Sequence, residues 1–264
     1  MYSILEVPYH MGLEDVAVGK GPTALLRAGV DQLLAEKSMP PQVTHIRPRD
    51  LRNQGLELVI DINRMLRYAV KDAVEQESVP VALAGNCNAA LGVLAGLDTT
   101  QLGIVWFDKH ADFHTPETSL NGSIEGMALA IAAGHCHQQL AERIGFGPPI
   151  SDHNIVLAGV REMERGERER IETSWVSVHA WDSLALLPVA LEQLKARVEA
   201  VYLHVDTDVL DVVPEVARWV GLVRETLPLA AVSVTNYNPD LDPEGDRALA
   251  IAEVIRRLAP GRVL

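Results

Sequence analysis

Asp108-Lys109-His110-Ala111-Asp112 follows directly on the apolar run Leu102-Gly103-Ile104-Val105-Trp106-Phe107. Alternate positions of an extended backbone share one side, so two carboxylates and an imidazole at this spacing are expected to converge on one point. Oxygen and imidazole donors gathered in that way suit a divalent cation. A second cluster repeats the arrangement: Val201-Tyr202-Leu203-His204-Val205 runs into Asp206-Thr207-Asp208, with Asp211 three positions on. Two such strand endings can assemble one multi-carboxylate site. An isolated aspartate after a strand is more often a turn former or helix cap, and Asp211 and Asp182 are read that way.

The elements that must position these groups alternate along the chain. Strands are expected at Val43 to Ile46, Val79 to Ala84, Gly103 to Phe107, Ile155 to Val160, Val176 to Val178, Ala200 to Val205 and Ala231 to Val234. Several are unbroken apolar runs, as in strands covered on both faces. Helices are expected at Leu56 to Gln76, Asn88 to Ala95, Gly126 to Ala133, Glu162 to Glu172, Leu184 to Val198 and Asp246 to Leu258. That order predicts an α/β fold of three layers, a central parallel sheet flanked by helices. Ligands in such folds lie outside the carboxyl ends of the strands. Four strand ends carry polar clusters that would share one crevice: Gly85-Asn86-Cys87-Asn88, Asp108 to Asp112, Asp206 to Asp208 and Thr235-Asn236-Tyr237-Asn238.

At 264 residues and 48% hydrophobic content the chain is expected to be one domain spanning 1–264 with a sizeable core. A net charge of -13 argues against nucleic acid or an anionic membrane as partner, and leaves a small molecule as the expected substrate. Two cysteines, Cys87 and Cys136, do not make a disulfide framework. Residues Met1 to His10 lack the pattern of a signal peptide, and no run is long enough to span a membrane, so the expected location is the cytoplasm.

Trp106 to Thr118 and His204 to Asp211 closely resemble the paired acidic motifs of the arginase, agmatinase and formiminoglutamase family, the ureohydrolases. The likeness extends to the segment from Gly21-Pro22 to Gly29 and to Asn238-Pro239-Asp240-Leu241-Asp242, and so covers nearly the whole chain. The resemblance implies two divalent metal ions, manganese in the family. Asp108 and Asp206 would bridge them, His110 and Asp208 would complete one, and Asp112 would serve the other. It also implies self-association, as trimers or hexamers.

Three positions depart from the family pattern. The histidine of a GGDHS-like motif is replaced by Cys87 in Ala84-Gly85-Asn86-Cys87-Asn88, and a thiolate there favours zinc, iron or nickel over manganese. The histidine of a GNxHG-type loop is replaced by Glu125 in Gly122-Ser123-Ile124-Glu125-Gly126. The glutamate that meets the guanidinium in arginases is replaced by Asn236, which removes the charge partner of a buried cation.

The resemblance therefore implies a metal-dependent hydrolase of a linear, non-peptide C–N bond in a guanidino, formimino, amidine or amide group. Two metals about 3.5–4 Å apart would hold a bridging hydroxide as nucleophile. Asp112 would orient it, and Glu125, with His114 second, would supply a proton to the departing nitrogen. Asn236 and Glu164 are the substrate-binding candidates, Glu164 by its place in Arg161-Glu162-Met163-Glu164-Arg165-Gly166-Glu167. The alternative is a metal-poor, catalytically degenerate relative that binds or regulates. A single-metal deacetylase on a related fold is the third possibility.

Plainer structural readings stand beside these. Cys87 can be a small buried hydrophobe, Glu125 a first-turn helix residue and His204 a satisfied core histidine or a support for Asp206. His135-Cys136-His137 is read as the end of an apolar helix, Arg161 to Arg170 as a solvated charged face, and the tryptophans as packing.

Overall fold

The computed structural model describes residues 1–35, 40–97 and 101–259, with the side chains of 211–214 left aside. Its centre is an eight-stranded sheet ordered β4-β1-β5-β10-β9-β6-β7-β8, in which every pairing is parallel. The strands are β1 (Tyr2–Val7), β4 (Gln42–His45), β5 (Val79–Ala84), β6 (Leu102–Phe107), β7 (Ile155–Val160), β8 (Ser177–Ala180), β9 (Ala200–Asp206) and β10 (Leu229–Thr235). A short antiparallel hairpin, β2 (Tyr9–His10) with β3 (Leu13–Glu14), follows β1.

The continuous apolar runs become buried strands because each supplies both faces. Ile104 and Trp106 face one core with Leu5, Ala82, Leu157 and Tyr202. Val105 and Phe107 face the other with Ile4, Val81, Val156 and Leu203. The first core is closed by α2 (Gly55–Glu75), α3 (Ala89–Gly96), α4 (Ala128–Ala132) and α5 (Gln138–Ile144). Ile171 of α6 (Arg165–Glu172) joins it. The second core is closed by α1 (Gly21–Arg27), α7 (Leu187–Lys195), α8 (Val213–Thr226) and α9 (Asp246–Leu258). Three layers with a central parallel sheet are therefore observed, as expected.

Several boundaries differ from expectation. β1 was not anticipated, because Ser3 and Glu6 interrupt its apolar pattern, yet it lies fully inside the sheet between β4 and β5. α8 was also missed, although Val216, Ala217, Val220 and Val223 have helical spacing and are buried. The helix expected from Glu162 begins only at Arg165, because the Arg161 and Glu162 N–H groups both donate to the Lys109 carbonyl and hold the segment across the site. The helix expected from Leu184 is preceded by a 3-10 turn, Trp181–Leu186, and starts at Leu187 with Pro188 in its first turn. No helix among the described residues is long and apolar enough to cross a membrane.

Candidate metal centre

β5, β10, β9 and β6 are consecutive neighbours in the sheet, and their carboxyl ends carry the four polar clusters. The site is thus a consequence of strand order: residues far apart in sequence sit one strand spacing apart in space.

Two sets of donors form there. One oxygen each from Asp108 and Asp208 and a nitrogen of His110 lie within 4.8 Å of one another. His110 Nδ1 is 2.9 Å from Asp208 Oδ2 and 3.5 Å from Asp108 Oδ1. The second set joins Cys87, Asp108, His204 and Asp206 within the same limit. Asp108 belongs to both sets and Asp206 to the inner one. Asp206 Oδ1 accepts the Asp208 N–H at 2.9 Å, while Oδ2 accepts the Cys87 thiol at 3.0 Å and the Asn236 amide. Asn236 Nδ2 also donates to Cys87 Sγ at 3.2 Å.

The expected alternation along Asp108 to Asp112 is not how convergence is achieved. β6 ends at Phe107, and the chain turns so that Asp108 Oδ1 accepts the His110 N–H at 2.7 Å. Asp112 has φ 49°, in the left-handed region, and its carbonyl receives the N–H groups of Leu129 and Ala130 at the start of α4. Asn236, with φ 64°, is the second such residue of the site. Aspartate and asparagine tolerate this conformation better than other non-glycine residues, and such strain gathers at functional sites.

Asp108, Asp112 and Asp206 are buried, and burial pushes all three carboxyls up, Asp108 to about 6. His110 is held up at about 11 by its hydrogen bonds to Asp108 and Asp208. For Asp208 burial works upward, but the His110 contact outweighs it together with the N–H of Lys109, and the carboxyl lies below its usual value. Burial and the Asp206 charge drive the Cys87 thiol up. Asp112 Oδ2 is buried with no hydrogen-bond partner. Buried acids with an orphaned oxygen are costly in isolation and are relieved by a cation, so the donor set fits divalent metal ions.

The other expected residues line a cleft of about 590 Å³ that opens onto Asp112, Asp206 and Asp208. Glu125 Oε1 accepts the Asn86 amide at 2.6 Å, and Asn86 Oδ1 in turn accepts the Met11 N–H at 2.8 Å. Glu125 also begins a 3-10 turn before α4, so its plainer helix-start reading coexists with its place on the wall. His114 Nε2 is 3.6 Å from Glu167 Oε2 and 3.8 Å from Glu164 Oε2. Glu164 is exposed at the rim, and Asn236 lines the floor.

Two supports, Glu167 and Trp106, were not anticipated, and Asn86 and Thr235 of the expected strand-end clusters take contacts that the sequence does not specify. Glu167 is buried and accepts the Phe113 N–H at 2.9 Å, so the stretch 161–170 is not wholly a solvated face. Trp106 does more than pack: its Nε1 donates to Asp108 Oδ2 at 3.0 Å and its ring stacks on His204 at 3.5 Å. Asn86 and Thr235 complete the group. His204, fully buried, has Tyr202 Oη at 2.9 Å from Nδ1 and Thr235 Oγ1 at 3.2 Å from Nε2. His135 lies elsewhere, paired with Asp152 at 2.9 Å.

The Arginase family model matches residues 2–223. The chain is 33% identical over 237 residues to the arginase of Bacillus caldovelox, covering 83% of this chain and 79% of that protein. It is 32% identical over 234 residues to the arginase of Bacillus subtilis, with 83% and 78% covered. The crystal structure of arginase from Bacillus subtilis matches with TM-score 0.88 at 26% identity, over 100% of both chains. The fold of formimidoylglutamase from Bacillus subtilis matches at TM-score 0.75 and 15% identity, over 98% of this chain and 88% of that one. With the family match running through β1 to α8 and both acidic motifs meeting at the carboxyl ends of neighbouring strands, the chain belongs to the arginase family.

Proposed function

We propose that residues 1–264 form one catalytic domain that hydrolyses a linear, non-peptide C–N bond of a guanidino, formimino, amidine or amide group in a small molecule. The observation that carries this reading is the meeting of Asp108, His110, Asp206 and Asp208 at adjacent strand ends beside an open cleft. Asp108, His110 and Asp208 would hold one divalent ion, and Cys87, Asp108 and Asp206 another, with Asp112 beside them. Such ions, when bound, polarise the scissile group and lower the pKa of water, so that a nucleophile exists near neutrality.

The remaining chemistry belongs to the side chains of the cleft. Glu125, held by Asn86, faces the cleft and can pass a proton to the departing nitrogen. His114, between Glu164 and Glu167, is the second proton carrier. Asn236 offers an amide where arginases have a carboxylate, which favours a neutral amide over a cationic guanidinium or formimino group. Glu164 at the rim meets the substrate's outer end.

Manganese is the family's metal, and the Cys87 thiol makes zinc, iron or nickel the competing choices. We extend the family's self-association, as trimer or hexamer, and a cytoplasmic location to this chain as parts of the same reading. Light scattering of the purified protein tests the first of these. The principal experiment is a metal count on protein purified without added metal, followed by ammonia and urea release from guanidino, formimino and amide compounds. About two ions per chain and turnover of one class support the hydrolase. No ion after supplementation with manganese, zinc and nickel, and no turnover, would leave the metal-poor binding protein. That second reading rests on the neutral donors, Cys87 and Asn236, which already cover Asp206 Oδ2.

A further inference from the structure

Beneath the cleft, His204 lies with its ring flat against Trp106 and its edge toward Asp206 and Cys87. The family's ligand histidine would come from the loop after β5, where this chain has Cys87. An imidazole is nevertheless present at the same cluster, delivered by β9. We propose that His204 replaces the missing loop histidine as a ligand, so that Cys87, His204, Asp108 and Asp206 form a sulfur- and nitrogen-containing inner site that takes zinc. This rests on the reading of the cluster as a metal centre and deepens it.

Three observations support the assignment. The first is distance: the four donors lie within 4.8 Å of one another, and Cys87 Sγ is 3.0 Å from Asp206 Oδ2. A tetrahedral zinc ion with bonds of about 2.0–2.3 Å holds neighbouring ligands about 3.5 Å apart, so closure needs only small movements. The second is orientation. Tyr202 Oη stands at Nδ1, as the outer hydrogen-bond partner of a ligating histidine does, and leaves Nε2 turned to the cluster. At Nε2 stands Thr235 Oγ1, 3.2 Å away, which is also 3.4 Å from Cys87 Sγ and 3.5 Å from Asp206 Oδ2. The contacts to nitrogen and oxygen are long for a hydroxyl, whose usual O–H···O length is about 2.7–2.8 Å, while that to sulfur is an ordinary one. The hydroxyl therefore touches all three ligand groups but holds Nε2 only loosely. The third is the buried, unpartnered Asp112 Oδ2 beside the same carboxylates. On ion binding the thiol proton would leave to solvent and Nε2 would exchange the hydroxyl for the cation.

The test uses the full chain, stripped with chelator and reloaded with zinc, then crystallised with zinc located by anomalous scattering. The expected result is an inner ion with His204 Nε2 at about 2.0–2.1 Å and Cys87 Sγ at about 2.3 Å. In solution, cobalt in place of zinc should give an intense near-ultraviolet thiolate charge-transfer band. His204→Gln should lower inner-site affinity at least ~100-fold while one ion per chain remains at His110. If that variant does not fold, Thr235→Val separates the explanations. A ligand His204 loses only a competitor and binds zinc as well or better, whereas a His204 that merely orders Thr235 would bind zinc ~10-fold more weakly. An inner ion with His204 still on Thr235 overturns the inference and leaves the hydrolase reading intact, whereas an outer ion alone overturns the inference and the two-ion form of that reading. An absence of both ions sinks the two together.

Discussion

The two halves of the metal centre share Asp108 but are built on opposite principles. In the outer half, half-exposed His110 faces Asp108 and Asp208, so the carboxylates have a titratable partner and an open path to solvent. In the inner half, Asp206 is buried at the floor of the same cleft, and its carboxylate is covered by the neutral donors Cys87, Asn236 and Thr235. The outer half can therefore wait for a cation with its charge offset. The inner half relies on hydrogen bonds that a cation must displace, and it should fill by a different route, with different metals and a different pH dependence.

Four measurements test that contrast. The largest effect is expected from Asp108→Asn, because this carboxylate serves both halves. Metal content should fall by at least one ion per chain, and turnover of whichever compound proves a substrate should fall ~100- to 1000-fold, the equivalent of about 3–4 kcal/mol. Loss of only one ion with near-normal turnover would show that the halves are independent.

Next is pH. In the metal-free protein Asp108, near 6, and His110, near 11, both lie above their ordinary values. The folded state thus holds protons that the unfolded state releases, and stability should fall as pH rises. The Asp108 part, on the order of 1–3 kcal/mol, is lost between about pH 4 and 6, and the His110 part between about 6.5 and 11. Urea unfolding at pH 5, 7 and 9 reads this. A saturating divalent ion should flatten the trend, and calorimetry at pH 7 in buffers of different ionisation heat should show about one proton released on filling the outer half.

Trp106→Phe keeps most of the packing and removes the donor to Asp108. A 10- to 100-fold loss of metal affinity is expected, as for other outer partners of metal ligands. Asn86→Ala should be the mildest, because it frees Glu125 from its hydrogen bond without touching a carboxylate ligand. A ~10-fold fall in kcat with unchanged metal content is expected. A fall in metal content instead would move Asn86 into the inner half.

The part of this arrangement that could be read from the sequence is the part with a strong local signature. Unbroken apolar runs gave away β5, β6, β7 and β9, and the acidic clusters after β6 and β9 announced the site. What escaped has non-local causes. Nothing in the short run before Pro8 says that β1 pairs between β4 and β5. Glu167 lies in a run of alternating charge, and only the docking of α6 decides that this carboxylate turns inward while Arg165 and Glu169 pair in solvent. Asn86 and Thr235 are ordinary polar residues in sequence, and their meaning depends on Glu125 and His204, more than thirty positions away in each case. Asp108 and His110 meet through a turn rather than by extended alternation, and Asp112, in the left-handed region, lies outside both donor sets.

The hairpin of Tyr9 to Glu14 adds a temporal dimension to this geometry. Gly85 is pressed so closely beneath it that a Cβ there would lie 2.1 Å from the Tyr9 carbonyl oxygen, and Met11 grips Asn86 from the same side. β1 must insert between β4 and β5, and the hairpin must close over Gly85, before the loop bearing Cys87 can settle. Tight cation uptake should accordingly be among the last properties a refolding molecule acquires, which makes the ion itself a reporter of completed assembly.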